Sequence, residues 1–285
     1  MIPKIIHYCW LSNEPIPAKL QKCIDSWKRY MPDWQIIRWS TENFDIHSVL
    51  LVEQAYNAKK WAFAADYIRI FALNNLGGVY LDSDVMLYGS LEPLLTTDFV
   101  SAIEYHPSFE EVKLNRELKT LDKSRRRIGK GMKVYGVGIQ AALIASIPNH
   151  PLLQDILHFY EHTSLEEILS NRLTAPTVIA YHCERFGFRY TDEEQNLSAS
   201  IRLYSTKIIG NYDQKCKTSV AIHQCAGSWT KKTLKNKITK RLSTYSIYKK
   251  WCFIIKSISV SLLDRLPDKS GHAPEGAARN LYDRK

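Results

Sequence analysis

The run Gly77-Gly78-Val79-Tyr80-Leu81-Asp82-Ser83-Asp84 constrains this chain more than any other stretch. The glycine pair stops a helix expected over residues 59–75, where Ala62, Ala65, Ile68 and Ala72 recur at helical spacing. Val79-Tyr80-Leu81 then reads as a short strand, and the chain leaves its C-terminal end on two carboxylates. In open α/β sheets that edge is where ligands bind. Residues i and i+2 of a strand face one side, so an extended backbone would aim Asp82 and Asp84 at one object. Two carboxylates side by side repel, and a hard divalent cation such as Mn²⁺ or Mg²⁺ removes that cost while keeping positions for substrate phosphate.

The rest of the chain agrees with an α/β sheet. Ile5 to Trp10 is an apolar first strand, residues 18–30 place Leu20, Cys23, Ile24 and Trp27 at helical steps, and Trp34 to Trp39 reads as a second strand. Strand, helix and strand in that order suggest a parallel sheet of the nucleotide-binding type. Residues 120–133 are basic and glycine-bearing, and read as an exposed loop whose Arg125-Arg126-Arg127 could meet a phosphorylated acceptor. Residues 134–147 are apolar up to Pro148, residues 152–162 and 164–169 are helical in pattern, and Val220 to His223 is a further strand.

The formal net charge of +10 is not spread evenly. Residues 1–230 hold 25 basic and 25 acidic groups, and residues 231–285 hold the remaining 14 and 4. A neutral body gives no nucleic-acid footprint. Residues 231–256 carry nine Lys or Arg and no acid, with Leu234, Ile238, Leu242, Tyr245, Tyr248, Trp251 and Ile255 at three- and four-residue steps. The apolar stretch at 251–263 falls short of the ~20 residues a span needs. The expectation is a catalytic domain over 1–230, a basic amphipathic helical extension over 231–266 lying on an anionic membrane surface, and a loose polar tail over 267–285. The six cysteines form no CxxC pair, and Met1 to His7 shows no export signal. Reduced thiols and a cytoplasmic enzyme, peripheral on the inner face of the cell membrane, are the corresponding expectations.

Four blocks occur in order: Ile5 to Trp10, Lys59 to Arg69, Gly77 to Val85, and His223-Gln224-Cys225-Ala226-Gly227-Ser228-Trp229. As a set they resemble glycosyltransferase family 32, the DXD-containing sugar transferases that include capsular and lipopolysaccharide transferases, and more distantly the glucosylating clostridial toxins. The resemblance implies a GT-A fold, a mostly parallel sheet flanked by helices. It also implies a nucleotide-sugar donor, a glycan or lipid-linked oligosaccharide acceptor, and transfer with retention of anomeric configuration. It makes Asp84 the direct metal ligand and sets Asp82 on the ribose, or on the metal through water. It puts Trp10 against the nucleobase, which favours a UDP donor, although GDP-mannose users share the family. Asp66 and Arg69, neighbours on one helix face, would read donor hydroxyls. His223 or Ser228 would complete the metal shell, with Trp229 on the diphosphate. Gln140 would lie near the anomeric carbon. Where relatives carry a second His or an aromatic residue, Gln224 and Cys225 stand here.

Two other classes compete. Asp-x-Asp after an apolar strand also opens haloacid-dehalogenase-type phosphatases, which need a downstream Lys and a late acidic pair at a strand end. Asp192-Glu193-Glu194 lies instead in a polar stretch. A non-catalytic carbohydrate-binding protein of the membrane surface is the other alternative, against which the intact Asp66, Arg69, Asp82 and Asp84 weigh.

Overall fold

A computed structural model describes residues 1–227; Ser228, Trp229 and the expected segments 231–266 and 267–285 lie outside the described residues. The strands are β1 (Ile5–Cys9), β2 (Gln35–Trp39), β3 (Gly78–Leu81), β4 (Val85–Leu87), β5 (Phe99–Tyr105), β6 (Val137–Ile139), β7 (Leu143–Ser146), β8 (Gln195–Leu197), β9 (Ile201–Tyr204), β10 (Ile209–Asn211) and β11 (Ala221–His223). The α-helices are α1 (Ala18–Tyr30), α2 (Leu50–Asn57), α3 (Trp61–Leu76), α4 (Phe109–Glu117), α5 (Pro151–Glu161), α6 (Leu165–Ser170) and α7 (Ala175–Cys183).

The main sheet runs β2-β1-β3-β7-β5-β9-β8, with β6 paired to β5, and a smaller sheet runs β10-β11-β4. The fold is α/β, as expected, with β1, β2, β3, β5 and β9 pointing one way. The sheet is mixed rather than purely parallel. β7 is antiparallel to both β3 and β5, β6 to β5, and β8 to β9.

Strand alternation divides the core into two layers. Tyr80, Phe99 and Ile103 face one layer with α2, α3, α5, α6 and α7. Ile6, Tyr8, Val79, Leu81 and Val100 face the other, with α1 and the small sheet. Helix α3 is buried along most of its length, in keeping with its Ala-rich, nearly all-round apolar sequence. It ends because Gly77 adopts φ +63°, and Gly78 follows at φ +106°. A side chain at Gly78 would bring its Cβ to 2.5 Å from the carbonyl oxygen of Ile5. The glycine pair thus lets β3 enter beside β1 directly out of the helix, which fixes where Asp82 emerges. Buried His7 secures the junction, its Nε2 2.8 Å from the Gly77 carbonyl while its Nδ1 accepts from Trp39.

The basic stretch 120–133 is half exposed and is anchored to the body. Arg127 pairs with Glu184 at 2.7 Å and lies over the ring of Tyr181. Among the described residues no helix is long and apolar enough to cross a membrane.

Candidate active site at the carboxyl edge of the sheet

Asp82 and Asp84 meet by a different device from the extended strand expected. The amide of Val85 donates to the carbonyl of Asp82 at 2.9 Å, closing a tight turn over Asp82-Ser83-Asp84-Val85. The turn passes the chain from β3 in the main sheet to β4 in the small one. Its seat is firm on both sides. The Asp82 amide donates to the Ala142 carbonyl at 2.9 Å, and the indole of fully buried Trp27 donates to the Val85 carbonyl at 2.7 Å.

The small sheet delivers the third group. In the antiparallel pairing of β11 with β4, His223 stands opposite Val85, next to Asp84. The His223 Nε2 lies 3.3 Å from an Asp84 oxygen, and the other Asp84 oxygen accepts from the amide of Ala226 at 2.7 Å. One ligand atom from each of Asp82, Asp84 and His223 falls within 4.8 Å of the others. Two carboxylates and an imidazole at that separation fit a hard divalent cation such as Mn²⁺. Electrostatics agree. Burial alone would raise Asp84 and lower His223. Burial is the largest single effect on each, but their mutual hydrogen bond and attraction, with the Ala226 amide on Asp84 and the Cys225 thiol on His223, together outweigh it, holding the carboxyl below its ordinary range and the imidazolium well above its own.

Asp66 and Arg69 form no surface pair. Arg69 is 4% exposed and its Nη2 lies 2.9 Å from Asp66 and 3.5 Å from Asp82. Its Nη1 donates to the Ala141 carbonyl at 2.6 Å, and its plane lies over Tyr80, 4.8 Å from the ring centroid. Burial pushes the Asp66 carboxyl up and Arg69 draws it back, leaving it at about 6. The phenol of Tyr80 donates to Asp82 at 3.0 Å. Tyr80 adds a contact that the sequence patterns do not single out, although its i, i+2 spacing to Asp82 is a signal for it.

Trp10 follows β1 at the same edge, half-buried, with its indole donating to the Glu14 carbonyl at 2.8 Å. The register that pairs His7 with Tyr80 carries Cys9 level with Asp82, so Trp10 borders the site. Gln140 is different. It is 3% exposed, its amide nitrogen donates to Asn211 at 3.1 Å, and its oxygen takes the Ala142 amide at 3.4 Å. Asn211 is the residue paired with His223 across β10 and β11. Gln140 therefore backs the small sheet from behind, with both its amide atoms engaged inside the protein.

One further acid stands near. Glu104, at the end of β5, is raised by burial, then drawn down by His106 and His223, and it also feels Asp82 and Arg69.

Residues 17–100 match the family described as the glycosyltransferase sugar-binding region containing DXD motif. The chain is 32% identical over 106 residues to inositol phosphoceramide mannosyltransferase 1 of Schizosaccharomyces pombe, covering 33% of this chain and 32% of that one. It is 37% identical over 106 residues to inositol phosphoceramide mannosyltransferase 3 of the same yeast, covering 33% and 27%. The chain thus spans about a third of the length of these curated relatives. Among solved structures, mouse xyloside xylosyltransferase 1 aligns with a TM-score of 0.47 at 10% identity, over 78% of this chain and 97% of that one.

Proposed function

From the premise that this chain is a glycosyltransferase of the DXD-containing sugar-binding family, matched over residues 17–100, we propose that it moves mannose from GDP-mannose to a hydroxyl of a lipid-linked, phosphate-bearing acceptor. The observation that carries the reading is the convergence of Asp82, Asp84 and His223 beside the largely covered Asp66–Arg69 pair. Mannose is the sugar in the names of the yeast relatives, and it shifts the donor away from the UDP-sugar expected from Trp10. Their acceptors carry a phosphoinositol; capsular or lipopolysaccharide intermediates are lipid-linked glycans and fit the same chemistry.

Asp82, Asp84 and His223 would hold Mn²⁺ or Mg²⁺, which when bound supplies positive charge against the diphosphate. Trp10 offers its ring to the base, and Asp66, kept in place by Arg69, accepts from sugar hydroxyls. Ser228 and Trp229 are assigned to the closing side on the motif alone. In the transfer the acceptor oxygen bonds to the anomeric carbon as the bond to the β-phosphate breaks. The hydroxyl proton passes to the departing phosphate oxygen. Front-face attack gives retention and needs no protein nucleophile. Donor groups aimed where charge develops carry most of the acceleration.

The basic segment 231–266 would draw the enzyme to an anionic membrane on the cytoplasmic face, where a lipid-linked acceptor resides. Removing residues 231–285 should release the protein from anionic vesicles, and unchanged binding would refute that part. Transfer itself is tested by Mn²⁺-dependent mannose release from GDP-mannose. Absence of both turnover and binding with any nucleotide-sugar would overturn the reading.

A further inference from the structure

Glu104 is a mostly buried carboxylate at the end of β5. Its side chain is 22% exposed, and the imidazole of His106 stands 4.0 Å away. Among the described residues it receives no hydrogen bond. Mostly covered yet still reached by solvent at a ligand-binding edge, this carboxylate is open to a donor from a ligand, such as a hydroxyl.

Its place is informative. Val100 and Ala102 precede it at alternate positions of β5 and pack in the layer that holds Val85 and Ala221 of the small sheet. Glu104 continues that row to the sheet edge, within range of the charges of His223, Asp82 and Arg69. It is not part of the cation cluster of Asp82, Asp84 and His223. In the sheet order β3-β7-β5, Glu104 lies two strands from Asp82. Two spacings of ~4.8 Å make ~10 Å, enough for one sugar ring with hydrogen bonds on both sides. Asp66 and Arg69 come from α3 on the opposite layer. The donor sugar, held by the diphosphate at Asp82 and Asp84, would sit between these walls, and Glu104 would close the far one.

We propose that Glu104 is the acceptor-side catalytic residue: its carboxylate accepts a hydrogen bond from the attacking hydroxyl and holds it against the anomeric carbon. The inference rests on the transferase reading above. Gln140, expected for a neighbouring role, is already spent on Asn211 and Ala142.

The test uses the full chain with Mn²⁺ and GDP-mannose, following donor binding by calorimetry and mannose release to water. E104Q and E104A should bind GDP-mannose within about twofold of wild type, yet release mannose roughly tenfold or more slowly, since only orientation of the attacking oxygen is lost. E104D should recover part of the rate. Unchanged release in E104A, or donor binding that falls in parallel with the rate, would overturn the assignment. Failure of the transferase reading is separately visible, because wild type itself would then bind no donor, and the acceptor role would fall with it.

Discussion

The Nε2 of His223 lies 3.3 Å from Asp84, so the end of β11 is tied to the turn that leaves β3. The tie joins the two sheets at the point where a cation would sit. It also makes the site sensitive to protons.

His223 is held well above its ordinary imidazole value by Asp84, against burial, and Asp84 is held below its own. The raised His223 contributes stability fully below the unfolded imidazole value, and that contribution is lost as pH rises through the folded one. The depressed Asp84 contributes above the unfolded carboxyl value, and its share is lost as pH falls through the folded one. Without metal, the stability gap between wild type and H223Q should therefore be widest in mild acid and shrink as the pH becomes alkaline. Mn²⁺ must displace the His223 proton, so its affinity should rise over that same alkaline range. Thermal melts and calorimetry across pH check both slopes.

Arg69 bridges two carboxylates from inside the core. R69A leaves Asp66 and Asp82 facing each other without a cation, and should cost about 3 kcal/mol, or roughly 6–12 °C in Tm. R69K should not restore activity, because one ammonium cannot serve Asp66, Asp82 and the carbonyls of Ala65 and Ala141 together. Melting curves with donor turnover measure the two effects.

Gly78 sits at φ +106° with the Ile5 carbonyl where a Cβ would go. Gly78→Ala should cost about 2 to 3 kcal/mol and displace β3 from β1, lowering donor turnover as well. A chemical denaturation series reads the first, a donor assay the second.

Trp27 supports the turn through the Val85 carbonyl. W27F keeps most of the buried ring and strands that carbonyl, which should cost about 1 to 3 kcal/mol. Mn²⁺ affinity should fall too, since Val85 follows Asp84. Denaturation and metal titration of one variant give both numbers.

Much of this arrangement was legible in the residues. Helix α3, its glycine stop, β3 and the carboxylates follow from local patterns, since propensity, turn chemistry and hydrophobic spacing all agree there. What could not be read were relations that depend on the mixed sheet. Asp82 and Asp84 converge through a turn between sheets and not along one strand, because β4 belongs to the small sheet. Arg69 looks like a helix-surface residue by spacing, yet α3 is covered on both faces and its guanidinium is enclosed. Gln140 follows an apolar run that could equally precede a helix, and it instead locks against Asn211 from a distant strand. Helix α7 has no clear helical pattern in sequence, because Pro176 and β-branched residues dilute it.

The central claim is that Asp82, Asp84 and His223 hold the divalent cation through which the nucleotide-sugar binds. Calorimetric titration of GDP-mannose into wild type and D84N, with Mn²⁺ and with chelator, tests it most directly. The account predicts tight binding by wild type only when Mn²⁺ is present, and a loss of roughly 100-fold or more in D84N. Binding that is equally strong in chelator, or undiminished in D84N, would contradict it.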